Sequence, residues 1–210
     1  MPEYHNIQGY ISLEHRTHQD AVRLFAKVLA DLALDTPSCL EWLDVLCRDL
    51  TSEDGYPPRG PTLHAAIGAV EIEFDPLVMH WTSDVIATLS APWLQVGLLI
   101  ESERIELPHL EEPRFRPELE PVLLPLAMAF APISRDAPTF LTNEATDGLP
   151  WESFVGDDGD PWAFDLAVAH ASLAWPHSAL PPGFNRAAFR GATVISRGEA
   201  WHALPWRESA

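Results

Sequence analysis

Residues 136–185 hold eight carboxylates, Asp136, Glu144, Asp147, Glu152, Asp157, Asp158, Asp160 and Asp165, and neither lysine nor arginine. A stretch of one sign with no counter-ion of its own attracts a basic protein face and repels phosphate groups. Trp151 and Trp162 flank its densest part, Gly-Asp-Asp-Gly-Asp at 156–160, and tryptophan is enriched where one protein grips another. Glu144, Asp147, Trp151, Glu152, Asp157, Asp158, Asp160 and Trp162 are therefore the candidate partner-binding residues. A plainer account reads the same acids as a turn with a helix cap and the tryptophans as core. A calcium loop of the EF-hand type is excluded by spacing. It needs a glutamate six positions after its glycine, where Asp165 follows Gly159.

Other groupings carry less. Glu71, Glu73 and Asp75 alternate along one strand face and could form an acid/base pair or a divalent-metal site, but alternation alone generates such a wet face. His15 and His18 form H-x-x-H beside Asp20, in the polar start of a helix. The remaining histidines are scattered, and no G-x-S-x-G or Cys-His signature accompanies them. No catalytic residue, metal ligand or cofactor is assigned on this basis.

Composition closes several routes. The 210 residues carry a formal charge of -18 from 31 acidic and 13 basic residues. Such a charge disfavours nucleic acid and anionic membranes as partners. Lys27 is the only lysine, beside twelve arginines. It lies in AKVLAD, outside any phosphate loop, kinase or Schiff-base context. Cys39 and Cys47 match no zinc or redox spacing; on one helix they would stand about 12 Å apart, too far for a disulfide. The first twenty residues lack a signal-peptide pattern. The longest apolar run, 122–133, is interrupted by Pro125 and Pro132 and is too short to span a bilayer. The expected address is the cytoplasm.

The elements that must position these residues begin with a strand at 7–13, whose Ile7, Gly9, Ile11 and Leu13 face opposite Asn6, Gln8, Tyr10 and Ser12. Thr17 to Asp20 resembles a capping box opening a helix to about Leu34. Ser38 to Glu41 has the S-x-x-E form of a second helix start, with Leu40, Leu43, Leu46, Cys47 and Leu50 as its stripe. Val70, Ile72 and Phe74 alternate with acids in a strand that Asp75-Pro76 should break. WLQVGLLIES, at 93–102, reads as a strand covered on both faces. Residues 84–91 fit a strand or a short capped helix, and Pro125 leaves 122–133 open to either structure. Asp160-Pro161 reads as an N-cap and first turn of a helix running to Pro176, and ATVIS, at 192–196, as a strand.

The expected fold is α+β: a central antiparallel meander of three to four strands flanked by N-terminal helices, with a Pro/Trp-rich acidic C-terminal half containing one further helix. The chain reads as a single domain over 1–210, with any subdomain boundary falling near 108–120. The expected function is that of a non-catalytic cytoplasmic protein that binds and neutralises or regulates a basic protein partner, as an inhibitor or immunity-type protein does to a toxin enzyme. The alternatives are a metal-dependent hydrolase or phosphoesterase using the strand carboxylates, and an adaptor subunit of a larger assembly.

Overall fold

The computed structural model describes residues 3–50, 57–67, 70–107, 114–173, 175 and 179–206. Eight strands, β1 (Tyr4–Ser12), β2 (Leu63–Ile67), β3 (Val70–Trp81), β4 (Trp93–Glu101), β5 (Thr139–Asn143), β6 (Leu166–His170), β7 (Phe184–Phe189) and β8 (Ala192–Arg197), form one sheet in the order β2-β3-β4-β1-β5-β6-β8-β7. Every pairing is antiparallel. The expected three- to four-strand meander is thus corrected. β2, β3 and β4 are its local part, and the N-terminal strand β1 enters between β4 and β5, joining it to a second half that sequence proximity does not reveal.

The alternation of β1 survives with a difference. Ile7 and Ile11 pack against the helices on one face, and Asn6, Gln8 and Tyr10 point to the other, yet both sets are buried. Gly9 is on the helix side, where a Cβ would collide with Ser134 Oγ and Phe130. Helices α1 (His18–Asp31), α2 (Pro37–Arg48) and α4 (Glu120–Phe130) cover that face, bringing Phe25, Leu29, Leu46, Leu123 and Phe130 onto Ile7, Phe74, Val96, Leu98 and Leu141. The short α3 (Ser102–Ile105) directly continues β4. Phe115 and Leu119 join the same core, while 108–113, the first part of the suggested boundary, lie outside the described residues.

Local signals set the helix starts. Thr17 and Asp20 make both bonds of a capping box. For α2 the cap moves two residues earlier than the S-x-x-E reading. Thr36 Oγ1 accepts from Cys39 N at 3.3 Å, and Pro37 occupies the first turn, where a missing N–H is harmless. Pro125 sits inside α4, on its exposed side.

Two further expectations are overturned. β3 runs through Asp75-Pro76 to Trp81, because β2 begins only opposite Phe74 and leaves beyond it a strand edge that tolerates a residue without an N–H. Among the described residues no helix occupies 160–173: Leu166–His170 is β6, an interior strand buried on both faces, so its apolar run shows no period of two. Residues 82–92 are turns, neither strand nor helix. No helix among the described residues is long and apolar enough to cross a membrane.

Candidate functional site

The face of the sheet away from the long helices is covered, over β1, β5, β6 and β8, by the 82–92 turns, by α5 (Leu149–Phe154) and by the segment that follows it. Gly148 takes a left-handed φ of 81° to enter α5, and Gly156 takes 83° to leave it. The loop then folds back on the helix. Asp157 N donates to Glu152 O at 2.9 Å, and a Cβ at Gly159 would run into Leu149 O and Ser153 N. Asp160 Oδ1 accepts from Trp162 N at 2.9 Å, closing a turn instead of capping a helix.

The candidate residues divide by depth. Glu144, Asp147, Asp157, Asp158 and Asp160 are exposed, and Glu152 is half-buried. Trp151 is fully buried, stacked on Tyr10 at 4.6 Å and flanked by Trp81 and Trp93. Its expected role as a contact residue is corrected: it ties α5 to the sheet. Trp162 is half-buried among Phe164, Trp175 and Phe184. The acids therefore stand on an aromatic base.

Their electrostatics differ from those of the carboxylates that are paired with arginine elsewhere. Asp20 meets Arg23 at 3.2 Å, Asp75 meets Arg59 at 3.0 Å, Glu101 meets Arg104 at 2.9 Å, and Asp165 is clasped by Arg197. Among the described residues, no arginine or lysine is within ion-pair reach of Glu144, Asp147, Glu152, Asp157, Asp158 or Asp160. Burial, then the charges of Asp157 and Asp147, push the Glu152 carboxyl up. Asp147 lies at the surface but turns its carboxyl inward, where burial raises it against hydrogen bonds from Asn6, Gln8, Gly148 N and Thr142.

Beneath Asp147 lies a buried polar chain. Gln8 Oε1 accepts from Tyr10 Oη at 2.9 Å, from Asn6 Nδ2 at 3.2 Å and from Gln95 Nε2. Gln8 Nε2 donates to Thr142 Oγ1 at 2.8 Å, and Trp81 Nε1 donates to Gln95 Oε1 at 2.9 Å. The amides of Gln8 and Gln95, satisfied at both their oxygen and nitrogen, fix the register at the centre of the sheet, since any slip strands a buried polar group, whereas the buried Asn6 Oδ1 has no partner among the described residues.

A second cluster, absent from the sequence reading, forms at the end of the sheet. His5 Nδ1 is 3.0 Å from Ser102 Oγ, and His5 Nε2 is 3.2 Å from Glu106 and 3.7 Å from Asp165. Burial, aided by the Arg197 charge, lowers the His5 imidazole to about 4, so it is neutral at pH 7. Burial raises Asp165 against the pull of Arg197, and burial, Asp165 and Glu3 raise Glu106. Ser102 and Glu106 line a cleft of about 310 Å³ with Glu3, Tyr4, Asn143 and Glu144. Its members come from positions 5, 102, 106 and 165, and no spacing joins them; the β1–β4, β1–β5 and β5–β6 pairings bring them together.

Of the strand carboxylates that share a face, Glu71 is exposed, while Glu73 and Asp75 are already engaged. Asp75 accepts from Arg59 and from Thr62 Oγ1 at 2.7 Å, and Glu73 sits between Arg104 and His64. His18 Nε2 contacts Cys47 O at 3.3 Å, whereas His15 is exposed beside Glu14. Among the described residues no three His, Cys, Asp or Glu side chains gather closely enough to hold a metal ion. Cys39 and Cys47 are free thiols, and burial pushes Cys39 up to about 11, where a thiolate nucleophile does not form at neutral pH. No protein-family model, curated protein or solved structure matches the chain.

Proposed function

We propose that the protein binds a basic protein partner through the acidic surface of α5 and its flanking loops, and so neutralises or regulates that partner as an inhibitor or immunity-type protein does to a toxin enzyme. The observation that carries this reading is the absence of counter-ions. Asp20, Glu73, Asp75, Glu101 and Asp165 are each paired with an arginine, while among the described residues Glu144, Asp147, Glu152, Asp157, Asp158 and Asp160 are paired with none, and the charges of Asp157 and Asp147 bear on Glu152 without compensation. Folding gains nothing from that repulsion, and a cationic partner relieves it. The loop is also preorganised, held to α5 by the close approach at Gly159 and to the sheet by Trp151, which lowers the ordering cost of binding. Complementary charge would act mainly on the association rate. Two free cysteines suit a reducing compartment such as the cytoplasm, and the charge of -18 disfavours nucleic acid.

The test is affinity capture with the wild type and with the triple variant Asp157→Asn, Asp158→Asn, Asp160→Asn, followed by measurement of association rates for the captured protein. A basic protein retained by the wild type, associating at least about tenfold more slowly with the variant at low salt, is the expected result. Equal rates for the two would remove this surface from the interface.

A further inference from the structure

Where β1 begins and β4 and β5 end, a serine, a histidine and a carboxylate meet in series at the wall of the 310 Å³ cleft. We propose that this cleft is a hydrolytic site for small, positively charged esters, with Ser102 as nucleophile and His5 as its base. This assignment is independent of the partner-binding reading, with which it shares only Glu144 at the rim.

The order of contacts is the one nucleophilic catalysis requires. The Ser102 hydroxyl stands 3.0 Å from His5 Nδ1, and the opposite ring nitrogen is 3.2 Å from Glu106 Oε1. A carboxylate at Nε2 holds the proton there and leaves the Nδ1 lone pair for the serine. The imidazole is 1% exposed and braced edge-on by Phe115 at 5.5 Å, so its orientation is fixed before any ligand arrives. Asn143 is directly opposite His5 in the β1–β5 register. Its Oδ1 accepts from Thr146 N and Oγ1, leaving the Nδ2 hydrogens without a partner among the described residues, at the cleft wall. They are the donors available to a carbonyl oxygen that gains charge. The Ser102 N–H is not, being bonded to Glu3 O at 2.8 Å.

In the reaction, the Ser102 Oγ–carbonyl bond forms as its proton passes to His5 Nδ1. Collapse of the tetrahedral intermediate breaks the ester C–O bond, and His5 returns the proton to the leaving alkoxide. Water then adds to the acyl-serine, giving a proton to His5. The carboxylic acid departs, and Ser102 regains its proton. The transient imidazolium lies between Glu106 and Asp165, with Arg197 on the far side of Asp165 as the opposing charge. Glu106 is a positioning residue in this scheme. Glu3, Glu106 and Glu144 around the cleft select a cationic substrate, and the volume is at the small end of small-molecule sites.

The experiment is labelling of the intact chain with a fluorophosphonate probe, which traps an activated serine, with the adduct mapped by peptide mass spectrometry. Labelling at Ser102, abolished in Ser102→Ala and slowed about 100-fold or more in His5→Gln, is expected. Acetylthiocholine should be cleaved with a higher kcat/KM than ethyl thioacetate. In Glu106→Gln the acid limb of the labelling–pH profile should move to lower pH, because the lost carboxylate no longer favours imidazolium; a merely structural Glu106 would leave the limb in place. Folded wild-type protein without an adduct on Ser102 overturns the assignment, as does folded His5→Gln that labels at the wild-type rate.

Discussion

Trp151 illustrates how far a residue type can mislead. Its ring, stacked on Tyr10 and enclosed by Trp81 and Trp93, has the composition of an interface anchor and the burial of a core residue. Trp151→Ala is expected to lower unfolding stability by about 3–5 kcal/mol in a denaturant titration; a loss below about 1 kcal/mol would show that α5 is held by something else. At His5 the prediction concerns pH. Its folded value of about 4 is below that of an unfolded histidine near 6.5, so between those limits the unfolded chain binds the extra proton. The stability from neutral His5 is complete above about pH 6.5 and lost on acidification toward pH 4. The raised carboxyls of Glu106, Asp165, Asp147 and Glu152 act with the opposite sign, so wild type must be compared with His5→Gln. The stability difference between them should shrink by up to about 3 kcal/mol across that window; a constant difference would contradict the buried neutral imidazole. The acids were legible in the sequence because charge survives any fold, whereas Asn6, Gln8 and His5 gain their significance only from cross-strand neighbours.

Among the elements, those specified by short-range chemistry were readable and those specified by distant pairing were not. The capping box at Thr17 and the alternation around Ile72 and Phe74 follow from neighbours three or two residues away. β6 is different. LAVAH is buried on both faces because α4 covers Leu166 and Val168 on one and the aromatic loop layer covers Ala167 on the other, while β5 and β8 flank its edges, and none of those partners is adjacent in sequence. An interior strand and a buried helix then look alike. Two substitutions test the elements. Gly159→Ala places a methyl against Leu149 O and Ser153 N, backbone atoms that cannot swing aside. It should cost about 1–3 kcal/mol and weaken partner binding by releasing the acidic loop from α5; unchanged stability would refute that close packing. Pro125→Ala, on the exposed side of α4, should instead stabilise by about 1–2 kcal/mol by restoring a helical hydrogen bond. A loss of stability there would mean that the proline shapes the helix to fit the sheet.

At the scale of the molecule, a helical layer, an eight-stranded sheet and an aromatic loop layer support a surface whose acids lack counter-ions. Self-repulsion at a charge of -18 should be screened by added salt. Thermal stability is expected to rise with sodium chloride concentration, and a melting temperature insensitive to salt would argue against uncompensated repulsion. Overall charge was legible from composition alone, while its display on a rigid platform depends on sheet pairings that composition does not encode. The most direct measurement is capture of tagged protein from its source cells, eluted with increasing salt and read by mass spectrometry. The account predicts one stoichiometric basic protein, retained at low salt and released at high salt. Retention of no protein, or of a stoichiometric partner that is acidic and indifferent to salt, would contradict it.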